Sequence, residues 1–289
     1  MTLFTQVIII YAFLPQTDAV LALETWQVVL LLTATSLLTA SGNVINDIYD
    51  VAADTLNKPK KVIVGKKIKE KSAFTFYIVL TSIAIVAGFI LANSLSKPGL
   101  AGLFIAVSFA LFWYATYAKK VLFAGNILIS LLVAFVLIIT ALFELFPEIN
   151  DLNRSFQLVA IQKLLVFALF AFLVNLLRES IKDCQDINGD HATGRNSLPI
   201  AIGRSRAVKV LSVYSIILTI ALGYLATIHL YQDQVSLYFT LFLIMAPLMF
   251  IGLKLWTADS LKELKWLSLL CKLVMLLGII GMAFIKFEL

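Results

Sequence analysis

Apolar residues run through this chain in long blocks, separated by short polar stretches. A helix needs roughly 20 mostly apolar residues to cross a bilayer. Nine blocks are candidate spans: residues 3–14, 26–46, 73–95, 100–117, 122–146, 157–177, 207–230, 236–255 and 264–287. The first is short, and Pro15, Asp18 and Glu24 close it. The pattern predicts an all-α, polytopic membrane protein of about nine transmembrane helices. No linker or low-complexity stretch interrupts it, so one domain over residues 1–289 is expected.

Composition moves the expected surroundings from water to lipid. The chain is 61% hydrophobic and 14% charged, with a mean hydropathy of +0.97. Too few charges are available to cover a soluble protein of this size. The net charge of +6 is unevenly placed. Segments after even-numbered spans hold 18 of the 23 Lys and Arg: Lys58 to Lys71, Lys119 and Lys120, Arg178 to Lys209, and Lys254 to Lys265. Segments after odd spans hold Lys97, Arg154 and Lys163, with Glu144, Glu148, Asp151 and Asp233. The positive-inside rule then puts the even loops and the N-terminus in the cytoplasm. A prokaryotic inner or plasma membrane is the expected location. No basic stripe carries interleaved aromatic residues, so no nucleic-acid partner is expected. The N-terminus lacks a basic n-region and a small-residue cleavage site, so no cleavable signal peptide is expected. Cys184 and Cys271 are far apart and read as free thiols.

Two carboxylate clusters stand out against this apolar background. The first runs Asn43-Val-Ile-Asn46-Asp47-Ile-Tyr49-Asp50-Val-Ala-Ala-Asp54, and the second Lys182-Asp183-Cys-Gln-Asp186-Ile-Asn188-Gly-Asp190. Each has aspartates at i, i+3 and i+7, which on a helix fall within a sector of about 60°. Like charges this close repel and drive protonation unless a cation joins them. All-oxygen ligands suit Mg²⁺, which keeps its waters and bridges to substrate phosphates. Lys58, Lys60 and Lys61 follow the first cluster, while Arg178, Lys182 and Arg195 flank the second. Such cations neutralise phosphate oxygens that metals leave free. Solvated helix ends are the bland alternative, but two clusters of equal spacing at a membrane margin argue against idle carboxylates. Spans 2 and 6 both end in such a cluster, which hints at an internal pseudo-repeat with a shared site.

These motifs resemble the UbiA superfamily of intramembrane prenyltransferases. The NDxxDxxxD motif is matched by Asn46-Asp47-Ile-Tyr-Asp50-Val-Ala-Ala-Asp54, and the NKPxRPI-like stretch by Asn57-Lys58-Pro59-Lys60-Lys61-Val62-Ile63. The second motif is matched by Asp183-Cys-Gln-Asp186-Ile-Asn-Gly-Asp190, followed by Gly194-Arg195-Asn196-Ser197-Leu198-Pro199. Tyr114-Ala-Thr-Tyr117-Ala-Lys119-Lys120 and Gly125-Asn126 are similar to the YSxxLK region of archaeal-type members. Lys61 and Val62 depart from the family's Arg-Pro, which weakens bidentate phosphate recognition there.

The resemblance implies nine helices around a central cavity and Mg²⁺-dependent transfer of a prenyl group from its diphosphate to a lipophilic acceptor. It implies two or three Mg²⁺ ions held by Asn46, Asp47, Asp50, Asp54, Asp183, Asp186 and Asp190. Asp50, Asp54, Asp186 and Asp190 are the expected catalytic set. Asn43, Lys58, Lys61, Tyr114, Lys119, Asn126, Arg178, Lys182 and Arg195 are expected to bind diphosphate or substrate. The DxxDxxGD form and the Tyr114–Lys119 spacing look most like the geranylgeranylglyceryl phosphate geranylgeranyltransferases, with quinone-precursor enzymes acting on 4-hydroxybenzoate or dihydroxynaphthoate as the alternative. A cation-coupled transporter is the competing class. Its ion sites lie near the midplane on broken helices, whereas both clusters here sit at span ends.

Overall fold

The computed structural model describes residues 1–285, so the last two residues of the expected ninth span lie outside it. An N-terminal apolar helix covers Thr2–Gln16, opening with α1 (Thr2–Ile8) and ending in a π-helical and a 3₁₀ turn. The chain continues through α2 (Thr25–Tyr49), α3 (Val51–Asn57), α4 (Glu70–Ser94), α5 (Ala101–Thr116), α6 (Ala124–Glu144) and α7 (Arg154–Ala192). It closes with α8 (Leu198–Ile202), α9 (Arg204–His229), α10 (Gln234–Phe239), α11 (Ala246–Trp256) and α12 (Leu261–Gly281). A π-helical turn fuses α10 and α11 into one stretch. Among the described residues, 8 helices are long and apolar enough to cross a membrane, and the shorter Thr2–Gln16 completes the expected nine. Large apolar side chains such as Phe109, Ile220 and Phe242 stay exposed, as helices facing lipid require.

Local signals set the helix ends. The Glu24 backbone N–H donates to the Gln27 side chain at 2.8 Å, opening α2. Ser260 and Glu263 exchange backbone-to-side-chain bonds of 3.1 and 3.2 Å at the start of α12, a reciprocal cap. Helices α2, α4, α5 and α6 share one core around Leu31, Leu38, Leu91, Phe104 and Phe143. A Cβ on Gly88 would lie 2.2 Å from the Phe104 ring, so the α4–α5 approach depends on that glycine. Helices α7, α9, α11 and α12 share a second core around Leu177, Ile181, Cys184, Leu248 and Cys271. Both thiols are free, as expected, and both are buried.

The two groups meet along α6–α7, and α1 touches α2, α6 and α12 between them. A polar network pins α1 inside the apolar surroundings. The Thr35 hydroxyl donates to Gln6 Oε1 at 2.6 Å, and Gln6 Nε2 donates to Thr140 at 3.2 Å.

Two sequence expectations change. The helix expected over 157–177 runs on to Ala192 and is 39 residues long. At 1.5 Å per residue it spans roughly 58 Å, well beyond a hydrocarbon core of about 30 Å. The second aspartate cluster therefore rides on the projecting end of a continuous helix. The first cluster does not share one straight helix. Helix α2 ends at Tyr49, Asp50 takes φ −95° and ψ −2°, and α3 begins at Val51. The single-face geometry holds from Asp47 to Asp50, while Asp54 belongs to a separate short helix.

Candidate active site

Helix α3 lies against α7 where α7 carries no side chain. A Cβ on Gly189 would fall 2.4 Å from Asn57 Nδ2 and 2.5 Å from the Ala53 carbonyl oxygen. Asn57 clasps the contact from both sides. Its Nδ2 donates to the Asp186 carbonyl at 2.8 Å, and its Oδ1 accepts from the Gly189 N–H at 2.9 Å. Lys58, the next residue, reaches the Asp186 carboxylate at 2.6 Å. Sequence positions more than a hundred residues apart thus converge, and the two aspartate clusters face one cavity.

Asp50 is the hub. Its Oδ2 accepts from Asn46 Nδ2 at 2.7 Å. Its Oδ1 accepts from both Lys119 and Arg195. Arg195 also donates to Asp190 at 3.1 Å, tying the clusters together. Desolvation works against the Arg195 charge, but Asp50 and Asp190 outweigh it and raise its pKa. Asn126 Nδ2 donates to Asp183 at 2.7 Å. Gly125 lets this corner close, since a Cβ there would lie 2.8 Å from the Lys119 Cα. The Asp54 carboxyl is raised above its ordinary value, by burial foremost and then by Asp50 and Asp186, with Lys58 and Arg195 opposing.

A cavity of about 160 Å³ is lined by Asn46, Asp50, Asp54, Lys58, Tyr114, Lys119, Asn126, Lys182, Asp183, Asp186, Asp190 and Arg195, twelve of the expected site residues. Asp47 and Lys61 are exposed and do not line it. Asn43 and Arg178 lie deeper, against apolar cavities. Two residues to which the sequence assigned no role matter here. Asn57 is the clasp. Glu179, buried, accepts from Arg178 and, at 2.7 Å, from Lys182. The signal for Glu179 was a carboxylate spaced one and three positions from two cations.

The polar cavity opens toward a second cavity of about 360 Å³ that shares Asn46, Tyr114, Glu179 and Lys182 with it. That one shares Thr39, Asn43, Val133 and Arg178 with a third, of about 330 Å³, walled by Phe167, Phe170 and Met275. An acidic, cation-braced head thus leads to an apolar interior. The donor set of the head is almost all oxygen, which fits a hard divalent cation. Among the described residues, no group of three or more His, Cys, Asp or Glu is arranged to hold a metal ion. Any ion here would draw further oxygens from an anionic ligand, the pattern Mg²⁺ favours with phosphates.

A family model described as the UbiA prenyltransferase family matches residues 6–280. A digeranylgeranylglyceryl phosphate synthase of Korarchaeum cryptofilum is 31% identical over 248 residues, covering 84% of this chain and 79% of that protein. One from Methanosphaera stadtmanae is 30% identical over 213 residues, covering 74% and 70%. Among solved structures, an apo UbiA homolog from Aeropyrum pernix K1 shares the fold with a TM-score of 0.67 at 18% identity, covering 96% of each chain. A UbiA homolog from Archaeoglobus fulgidus, solved with DMAPP and Mg²⁺, gives 0.56 at 14% identity, covering 97% of this chain and 94% of that one.

Proposed function

This chain belongs to the UbiA prenyltransferase family, and on that premise we propose that it transfers a geranylgeranyl group from its diphosphate to geranylgeranylglyceryl phosphate, in ether-lipid synthesis. The observation that carries the reading is one polar head, built from both aspartate clusters, opening into contiguous apolar cavities. The head suits a diphosphate and the interior suits polyprenyl chains. The whole chain acts as one domain in a prokaryotic plasma membrane, with the N-terminus and the polar head on the cytoplasmic side. The lysine-rich segments around the head support that orientation.

Asn46, Asp50, Asp54, Asp183, Asp186 and Asp190 would hold two or three Mg²⁺ ions. When bound, these ions offset the diphosphate charge and make it a better leaving group. Lys58, Lys119 and Arg195 already stand at the carboxylates and are placed to turn toward phosphate oxygens. The C1–O bond of the donor breaks and the diphosphate keeps the electron pair. The acceptor hydroxyl oxygen bonds to C1 and its proton passes to solvent or to a carboxylate of the head. Apolar walls keep water from the allylic centre in the interval.

The acceptor is tested with radiolabelled geranylgeranyl diphosphate, Mg²⁺ and purified protein, given geranylgeranylglyceryl phosphate, 4-hydroxybenzoate or 1,4-dihydroxy-2-naphthoate in turn. Labelled product is expected with the glycerol phosphate at a kcat/KM at least about tenfold above the aromatic acids. Product with an aromatic acid alone would reassign the acceptor. No product with any, together with Na⁺ or H⁺ flux in liposomes, would favour a transporter.

A further inference from the structure

The third cavity contains a cation that neither motif explains. Lys272 lies eleven residues into α12, roughly 16 Å along the helix from Leu261 and so near mid-depth of a bilayer-spanning helix. A lysine at that depth is costly unless it serves a site or finds a partner. Lys272 is exposed on α12 rather than buried; among the described residues it makes no ion pair, and it lines the cavity together with Arg178. Helices α7 and α12, which carry Arg178 and Lys272, pack together. Arg178 is itself incompletely satisfied: its Nε is buried without a hydrogen-bond partner.

Charge balance points the same way. The third cavity has no acidic residue in its lining, and the second has only Glu179. Glu179 is already shared by Arg178 and Lys182. Arg178, Lys182 and Lys272 therefore share one carboxylate between them. Asn43, Asn175 and Thr39 add hydrogen-bonding groups to the same lining, which also includes Phe167 and Phe170.

We propose that Lys272 and Arg178 form a second oxyanion site, separate from the diphosphate head, that holds the acidic headgroup of a lipid-tailed acceptor. The shared chemistry is a phosphate monoester or a carboxylate on an apolar body. The proposal rests on the reading that the chain prenylates an acidic acceptor. Arg178 lines both apolar cavities, so a headgroup held there places the acceptor hydroxyl between its own anchor and the donor head.

The test is calorimetric binding to the full-length protein in detergent, without donor or Mg²⁺. The probes are geranylgeranylglyceryl phosphate, 4-hydroxybenzoate and the neutral geranylgeranylglycerol. Lys272→Gln is expected to weaken binding of the glycerol phosphate by about tenfold or more, the size of a charge-assisted contact. Lys272→Arg should restore it. The neutral lipid should bind wild type and Lys272→Gln equally. A phosphate-specific loss and a carboxylate-specific loss separate the two sources of the oxyanion. Equal phosphate affinity in Lys272→Gln and wild type overturns the proposal, as does equal loss of the neutral lipid or failure of wild type to bind either acid. Failure of the prenyltransferase reading is seen separately, as absence of labelled product from wild-type protein given donor and Mg²⁺.

Discussion

Asp186→Asn lowers turnover by roughly a thousandfold or more while the protein stays folded. Asp186 shares its carboxylate with Lys58 at 2.6 Å, and it lines the head beside Asp190 and Asp54. Asparagine keeps the shape and removes the charge, so the cost falls on metal and diphosphate binding. Metal-based stabilisation of a leaving group is worth several kcal/mol, and about 1.4 kcal/mol corresponds to each tenfold in rate. The backbone contact to Asn57 uses the Asp186 carbonyl and survives the change. The thermal midpoint in detergent should therefore move by only a few degrees, while Mg²⁺-dependent pyrophosphate release disappears.

Gly189→Ala is expected to lose both activity and stability, the second large effect. The added methyl would meet the Ala53 carbonyl oxygen at 2.5 Å, and backbone cannot swing aside as a side chain can. Helix α3 must move off α7, breaking the Asn57 clasp and pulling Asp54 and Lys58 away from Asp186 and Asp190. Overpacking of this kind costs typically about 1–3 kcal/mol. A fall of several degrees in the midpoint, with kcat/KM down by about a hundredfold or more, is the expected pair of readings. Unchanged activity would show that the two clusters do not need this approach.

Much of this was legible in the chain. The nine apolar blocks follow from the thickness of a bilayer, and their order survives in the fold, with the ninth only partly described. The aspartate spacings and the Tyr114–Lys119 and Arg195 segments all arrive at one cavity. What stayed hidden depends on tertiary approach. Periodicity expects Asp54 on the same helix as Asp47, because nothing in Tyr49-Asp50-Val51 is a helix breaker, and the interruption at Asp50 emerges only in the fold. The helix expected to stop at residue 177 continues because polar residues from Arg178 onward pair among themselves and with α3 rather than ending it. Asn57 begins a recognised motif, but its clasp was not legible, since its two partners lie more than a hundred residues away. Lys272 is one lysine in an apolar span, and only the cavity gives it a neighbour of consequence.

A double-mutant cycle tests whether the two aspartate clusters make one split site. Mg²⁺-dependent affinity for geranylgeranyl diphosphate is measured in wild type, Asp50→Asn, Asp186→Asn and the double variant. A shared site predicts strong coupling, with the double variant little worse than either single one. Losses that add in free energy, each cluster contributing independently, would contradict it.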